Sequence, residues 1–337
     1  MDIFKNLKKY EFFRLPPFAL LCALFIFCMG VLFVFNLLPV WENRQDYSFG
    51  YLIPVFALYV LYDRSAQIYA GFNARPIEVG GRALQISNIL FNAVFFLSAL
   101  FFVFGIFLKF FAGAGGAPEF AMGVGFSFMA FTCAYLASER NCGGQKLGLK
   151  QRLGLLKYFI FPAFIWIVST PLVSPIEDKI SIALLGRVTV IVYNIMDVLG
   201  CVAEVHGNVI SFPNGSVGVA DACSGIRSLT ACLVAGSFLA AVSFDKFWKK
   251  LALVACAMVL AFINNIFRAL FLALWAYENG SDSIDGAVHD IAGYAVLGIT
   301  IVGLLFLIPL FQISAVPKEL RDAENPEEVA DDSDRKN

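Results

Sequence analysis

Three short stretches of this chain carry side chains that can do covalent chemistry. "VADACSGIR" holds Asp221, Cys223 and Arg227 at the mouth of an apolar run; "NNIFR" holds Asn264, Asn265 and Arg268 in the next; "HDIAG" holds His289 and Asp290 at the start of the last. A thiol is a nucleophile as its thiolate, a form favoured by a helix N-terminus and nearby cations. An imidazole takes up or delivers a proton near neutral pH. A guanidinium keeps its charge and can hold the oxyanion of a tetrahedral intermediate. Cys223, His289 and Arg268 are together sufficient for acyl transfer, and these three are the catalytic candidates. Arg227 lies one turn beyond Cys223 on the same helix face, and Asn264 and Asn265 sit one turn before Arg268. Arg227, Asn265 and the carboxylate of Asp221 are the candidates for holding substrate.

Each of these residues has a plainer use when taken alone. A cysteine at a helix start is commonly a small packing residue, and Cys201 could pair with Cys223 in an oxidising compartment. Arg268 near a helix end could reach out to headgroups, His289 could be an interfacial polar side chain, and His206 sits in a turn. Arg227 resists the plain reading, because a charge inside a membrane segment costs roughly 2.5–3.5 kcal/mol on insertion scales and tends to mark function. The eight cysteines show no metal-ligand spacing, and neither metal nor other cofactor is expected.

The elements that position these residues are membrane helices. Of 337 residues 59% are hydrophobic and only 15% charged, which excludes an ordinary soluble domain. The net charge of −1 gives no reason to expect a nucleic-acid partner. About eight apolar runs can be read: Phe18–Val40, Tyr47–Tyr62, Ile86–Leu108, Phe120–Ala137, Tyr158–Val173, Gly225–Val242, Leu251–Ala276 and Val288–Phe311. An all-α polytopic membrane protein is therefore expected. The first run lacks a small-residue cleavage site after it and reads as a retained helix.

Basic residues alternate between loops. Lys5, Lys8, Lys9 and Arg14 precede the first run; Arg64, Arg75 and Arg82 follow the second. Arg140, Lys146, Lys150, Arg152 and Lys157 follow the fourth, and Lys246, Lys249 and Lys250 follow the sixth. The positive-inside rule then puts both termini in the cytoplasm, in what we expect to be the cell inner membrane. Residues 1–316 read as one transmembrane domain and 317–337 as a charged cytoplasmic tail. On this topology Cys223 opens the sixth run from outside and His289 opens the eighth from outside. Arg268 lies 17 residues beyond Leu251, about 26 Å at 1.5 Å per residue, which brings it to the same outer depth.

The segment Ser174–Ala222 is too long for a simple connection. Its first half is amphipathic enough to lie on the membrane or re-enter it. Its second half has Val-rich pieces broken by "HGN" and "PNG", which predicts a small β-hairpin just before Cys223.

These motifs resemble the exosortase/archaeosortase family. "ACSGIR" (Ala222–Arg227), "NIFR" (Asn265–Arg268) and "HDIAG" (His289–Gly293) match its three signatures in order, and "DYSFGYLIP" (Asp46–Pro54) is similar to its Tyr-Ser-His-Gly element. The likeness spans about Trp41 to Pro309. It implies Cys223 as nucleophile with Arg268 and His289 as essential partners. It also implies a substrate class: exported proteins whose C-terminal tail has a Pro-Glu-Pro-like signature, one transmembrane helix and a basic end. Two positions depart from the pattern. Phe49 stands where many members have His, and Asp221 stands where a Glu often precedes Ala-Cys.

Two functions are expected from these readings. One is a cysteine transpeptidase or protease acting at the outer membrane face, which the resemblance directs to sorting tails. The other is a transporter or polysaccharide-export component that binds an anion through Arg227 and Arg268. The inner halves of the last three runs are nearly all apolar, which favours an interfacial site over a polar path. Expected partners are tail-bearing exported proteins and membrane lipids.

Overall fold

The computed structural model describes residues 15–77, 80–113, 115–213, 215–218, 226–284 and 286–312. The expected charged tail at 317–337 lies outside them, as do the basic residues before Leu15.

Helices make up most of the described residues. α1 is Pro17–Asn43, followed by a 3-10 segment, Gln45–Leu52, and by α2 (Ile53–Asp63) and α3 (Ser65–Phe72). α4 (Arg82–Ala112) and α5 (Ala117–Ala137) form an antiparallel pair, and α6 (Leu149–Leu156) runs through a 3-10 turn into α7 (Ile160–Val168). α8 is Ser174–Val198. A sheet of β1 (Glu204–His206), β2 (Val209–Phe212) and β3 (Gly215–Gly218) comes next, then α9 (Ile226–Ser243), α10 (Phe247–Asn279), a 3-10 turn Ser281–Ile284, and α11 (Ala287–Gln312). Among the described residues seven helices are long and apolar enough to cross a membrane: α1, α4, α5, the joined α6–α7, α8, α10 and α11. α9 contributes the shorter apolar stretch Leu229–Ser243.

The eight runs expected from sequence map onto these helices with two differences. The second run is a short helix, α2, entered through the 3-10 segment, with Pro54 in its first turn. Proline is tolerated there because that N–H has no helical partner in any case. The other difference is α8, which is long enough to span. Its contacts nevertheless lie at one end of the bundle. Glu177 in its first turn pairs with Arg44, which follows α1. Its buried face (Leu185, Val188, Val192, Met196) packs on Ala269, Leu272, Ala273 and Ala276 near the C-terminus of α10.

The expected hairpin is a three-stranded antiparallel sheet, order β1-β2-β3. The first turn uses Gly207 at φ +64°, a left-handed conformation that glycine adopts without cost. Ile210, Phe212 and Val217 join the same apolar cluster as α8 and α10. Ser216 N–H donates to Ser281 Oγ at 2.9 Å, so β3 is tied to the turn that precedes α11.

The two ends of the bundle differ. One end collects the basic loops: Arg64 reaches Asp245 at 2.8 Å, Cys142 N–H donates to Phe72 O, and Gln151 binds Arg75 O and Ile77 N–H. The other end holds the Arg44–Glu177 pair, Lys109 with Glu119, and the sheet. This is the alternation that the loop charges require.

Candidate active site

Arg268 and His289 meet at the end of the bundle that carries the sheet. Arg268 projects from α10 into the bundle and is 8% exposed. Its Nη2 is 3.1 Å from His289 Nε2 and donates more weakly to His289 O at 3.4 Å. A guanidinium has no acceptor, so Nε2 must be the acceptor and the ring of His289 is neutral in this contact, with its proton on Nδ1. Nδ1 in turn lies 3.6 Å from the carboxylate of Asp290. Arg268 Nε is buried and has no hydrogen-bond partner among the described residues. A buried donor left unpaired costs about 1–3 kcal/mol, which an incoming oxygen would recover.

Small and polar neighbours allow this placement. A Cβ on Gly293 would come 3.3 Å from Arg268 Nη2 and 3.5 Å from its Cζ, so the bare backbone of α11 forms the floor under the guanidinium. One turn before Arg268, Asn264 Nδ2 donates to Thr300 Oγ1 at 2.8 Å, and that hydroxyl donates to Val296 O. This link fixes the relative register of α10 and α11. Asn265 is buried beside it, at 3% exposure. Asn264 is thus engaged with the neighbouring helix.

Helix pairing sets the level of α9. Gly236 faces Ala257 so closely that a Cβ on it would sit 2.6 Å from Ala257 Cβ. From that crossing, ten residues back along α9 reach Ile226 and eleven residues on along α10 reach Arg268. In an antiparallel pair both distances are about 15–17 Å. The N-terminus of α9 therefore lies at the level of Arg268 and His289. Asp221 and Cys223, and the side chain of Arg227, lie outside the described residues.

The 3-10 segment Gln45–Leu52 completes this end and was only weakly legible as part of a site. Thr230 Oγ1, one turn into α9, donates to Asp46 O at 3.4 Å. Tyr47 is buried, and its hydroxyl accepts the Leu172 N–H at 3.2 Å. Burial raises its pKa above the ordinary phenol value, with the Glu177 carboxylate adding to the effect against Arg44 and the Leu172 hydrogen bond. Phe49 packs with Tyr47 at 6.1 Å between ring centroids, so an apolar contact occupies the position of the expected His. His206 is exposed on β1, with Glu204 at 3.5 Å.

The fold and the site together define a polytopic helical membrane protein with a polar Arg–His centre at one end of the bundle. The family model described as transmembrane exosortase (Exosortase_EpsH) matches residues 41–306, and the chain belongs to that family. It is also 27% identical over 136 residues to a probable archaeosortase E of Methanocaldococcus jannaschii, a match covering 39% of this chain and 70% of that protein. No solved structure matches the chain.

Proposed function

We propose that the protein is a cysteine transpeptidase or protease that cleaves C-terminal sorting tails of exported proteins at the outer face of the cell inner membrane. The observation that supports this most is the Arg268–His289 contact at the level of the α9 N-terminus, since the Cys223 motif immediately precedes that helix. In this reading the Cys223 thiolate attacks the scissile carbonyl. The C=O π bond breaks, and the oxygen takes up negative charge. Arg268 offers that oxygen its unpartnered Nε and Nη2, releasing Nη2 from His289. His289 Nε2, freed from Nη2, carries the proton taken from the Cys223 thiol and hands it to the departing amine as the C–N bond breaks, which returns the ring to neutral imidazole. A thioester remains on Cys223 until an acceptor takes the acyl group. Arg227, Asn265 and Asp221 hold the substrate. No metal or cofactor is required by these steps. Residues 1–316 act as one domain in the membrane.

Anion transport through Arg227 and Arg268 is less well supported. Beyond Thr300 the other ends of α9, α10 and α11 meet in an apolar cluster of Ala240, Phe244, Leu253, Ala257 and Leu304, each at most 5% exposed. That cluster provides no donor for an anion to pass. The test is co-expression with a tail-bearing exported protein. Wild type should shorten it and Cys223→Ala should leave it full length at equal enzyme abundance. Normal shortening by Cys223→Ala would remove the thiol from the mechanism.

A further inference from the structure

A cavity of about 650 Å³ opens at the basic end of the bundle, opposite the Arg–His centre, between α2, α7, α9 and the start of α10. Its shaft is apolar, walled by Phe161, Phe164, Ile165, Ala240 and Val254. Its mouth carries Arg64, Lys157 and Lys250 together with Asp245, and Asp63 also pairs with Arg64 Nε at 3.4 Å. Arg64 is fixed in the wall: its side chain is 14% exposed, Nη1 donates to Asp245 Oδ1 at 2.8 Å and Nη2 to Ala241 O at 3.2 Å. Three cations thus meet two carboxylates, Asp245 and Asp63, which leaves the mouth with an excess of one positive charge.

The depth of the mouth is marked by its surroundings. Phe247 and Trp248 are exposed beside it, and Tyr158 lies under the Lys157 ammonium at 4.8 Å. Aromatic rings and lysines at one level mark the headgroup layer, which directs the shaft into the hydrocarbon. We propose that this cavity binds an anionic glycerophospholipid, its phosphate among Arg64, Lys157 and Lys250 and one acyl chain in the shaft. A zwitterionic lipid would bring a further cation to a mouth already rich in them. A sorting-tail helix is the wrong occupant on two counts: the volume is that of a small-molecule pocket, and a basic tail end would meet like charge. The lipid bridges α2 and α7 to α9, the helix that follows Cys223, and so braces the nucleophile's helix from its far end.

The test uses the full chain in detergent, titrated with phosphatidylglycerol or phosphatidylcholine of identical acyl chains and read by native mass spectrometry. Wild type should retain one phosphatidylglycerol with at least about tenfold preference. Lys157→Gln with Lys250→Gln should cut that retention about tenfold, and Lys157→Arg with Lys250→Arg should keep it. Ser237 on α9 also lines the cavity, and Ser237→Leu, which fills the shaft without altering the charges, should also cut it. Equal retention of both lipids would overturn the proposal, as would undiminished retention in the Gln pair or in Ser237→Leu. Cross-linking from benzoylphenylalanine at Phe164 to a sorting-tail peptide in place of lipid would assign the cavity to substrate and overturn it as well.

Discussion

The guanidinium of Arg268 is held as a plane, with Nη2 on the ring and carbonyl of His289 and Gly293 beneath it. A point charge cannot reproduce that fork, so Arg268→Lys is expected to lower turnover at saturating substrate at least about 100-fold, the scale of losing an oxyanion donor. Arg227→Ala should instead raise KM with a smaller effect on kcat, since Arg227 is assigned to holding substrate. The opposite ranking in a saturating cleavage assay would reverse the two roles. Gly293→Ala places a methyl 3.3 Å from Nη2, tight enough to displace the guanidinium by a few tenths of an ångström. It should reduce kcat about tenfold with no loss of abundance. Wild-type kcat would show that Arg268 needs no floor. The pairing of Arg268 with His289 was legible as a shared depth, because helix rise converts sequence distance to height. That Nε2 accepts and Nδ1 carries the proton was not, since a tautomer depends on which side chains actually touch.

The 3-10 segment acts as a single unit against three helices. Trp41 donates Nε1–H to Ser169 O at 3.0 Å, and Gly50 packs on that indole so closely that a Cβ would lie 2.2 Å from Nε1. Gly50→Ala should therefore cost about 1–3 kcal/mol, visible as a lowered Tm in detergent. Tyr47→Phe leaves the Leu172 N–H without its acceptor and should cost about 1–2 kcal/mol at neutral pH. The pH dependence has a definite sign. The folded-state pKa of Tyr47 is raised, with burial the first cause, so its neutral phenol contributes stability that is present below the unfolded value of about 10. That contribution is lost as pH rises through the folded value. Wild-type Tm should therefore fall faster than that of Tyr47→Phe above about pH 10, narrowing the gap between them. Parallel curves would remove Tyr47 from the alkaline transition. "DYSFG" was recognisable in the sequence as a motif, but its partners were not. Leu172 and Thr230 are far away along the chain, and no periodicity links them to Asp46 or Tyr47.

Membrane helices are legible in a sequence because apolar length alone defines them, and six of the eight expected runs fall on helices long enough to span. What composition could not resolve is where a helix goes. α8 has the length and hydropathy of a span, yet Glu177 binds Arg44 and its buried face packs on the C-terminal part of α10, next to the sheet. The turn residues Gly207 and Gly215 likewise announced strands, while the third strand emerged only from the pairing of β2 with β3. The shared depth of Arg268, His289 and the α9 N-terminus requires that the α9–α10 connection and the α10–α11 connection lie on opposite sides of the membrane. The structure separates them by the length of α10, with Asp245 tied to Arg64 at the basic end and Gly280 beside the turn that holds β3. Reporter fusions after Asp245 and after Gly280 should accordingly give opposite signals, cytoplasmic for the first and external for the second. Blocking of Cys201 by a membrane-impermeant thiol reagent in intact cells should agree with the Gly280 fusion, because Cys201 lies between α8 and β1 at the same end. Matching signals at Asp245 and Gly280 would break the topology. The outward-facing site would fall with it, whereas the Arg268–His289 contact, which depends only on α10 and α11, would stand.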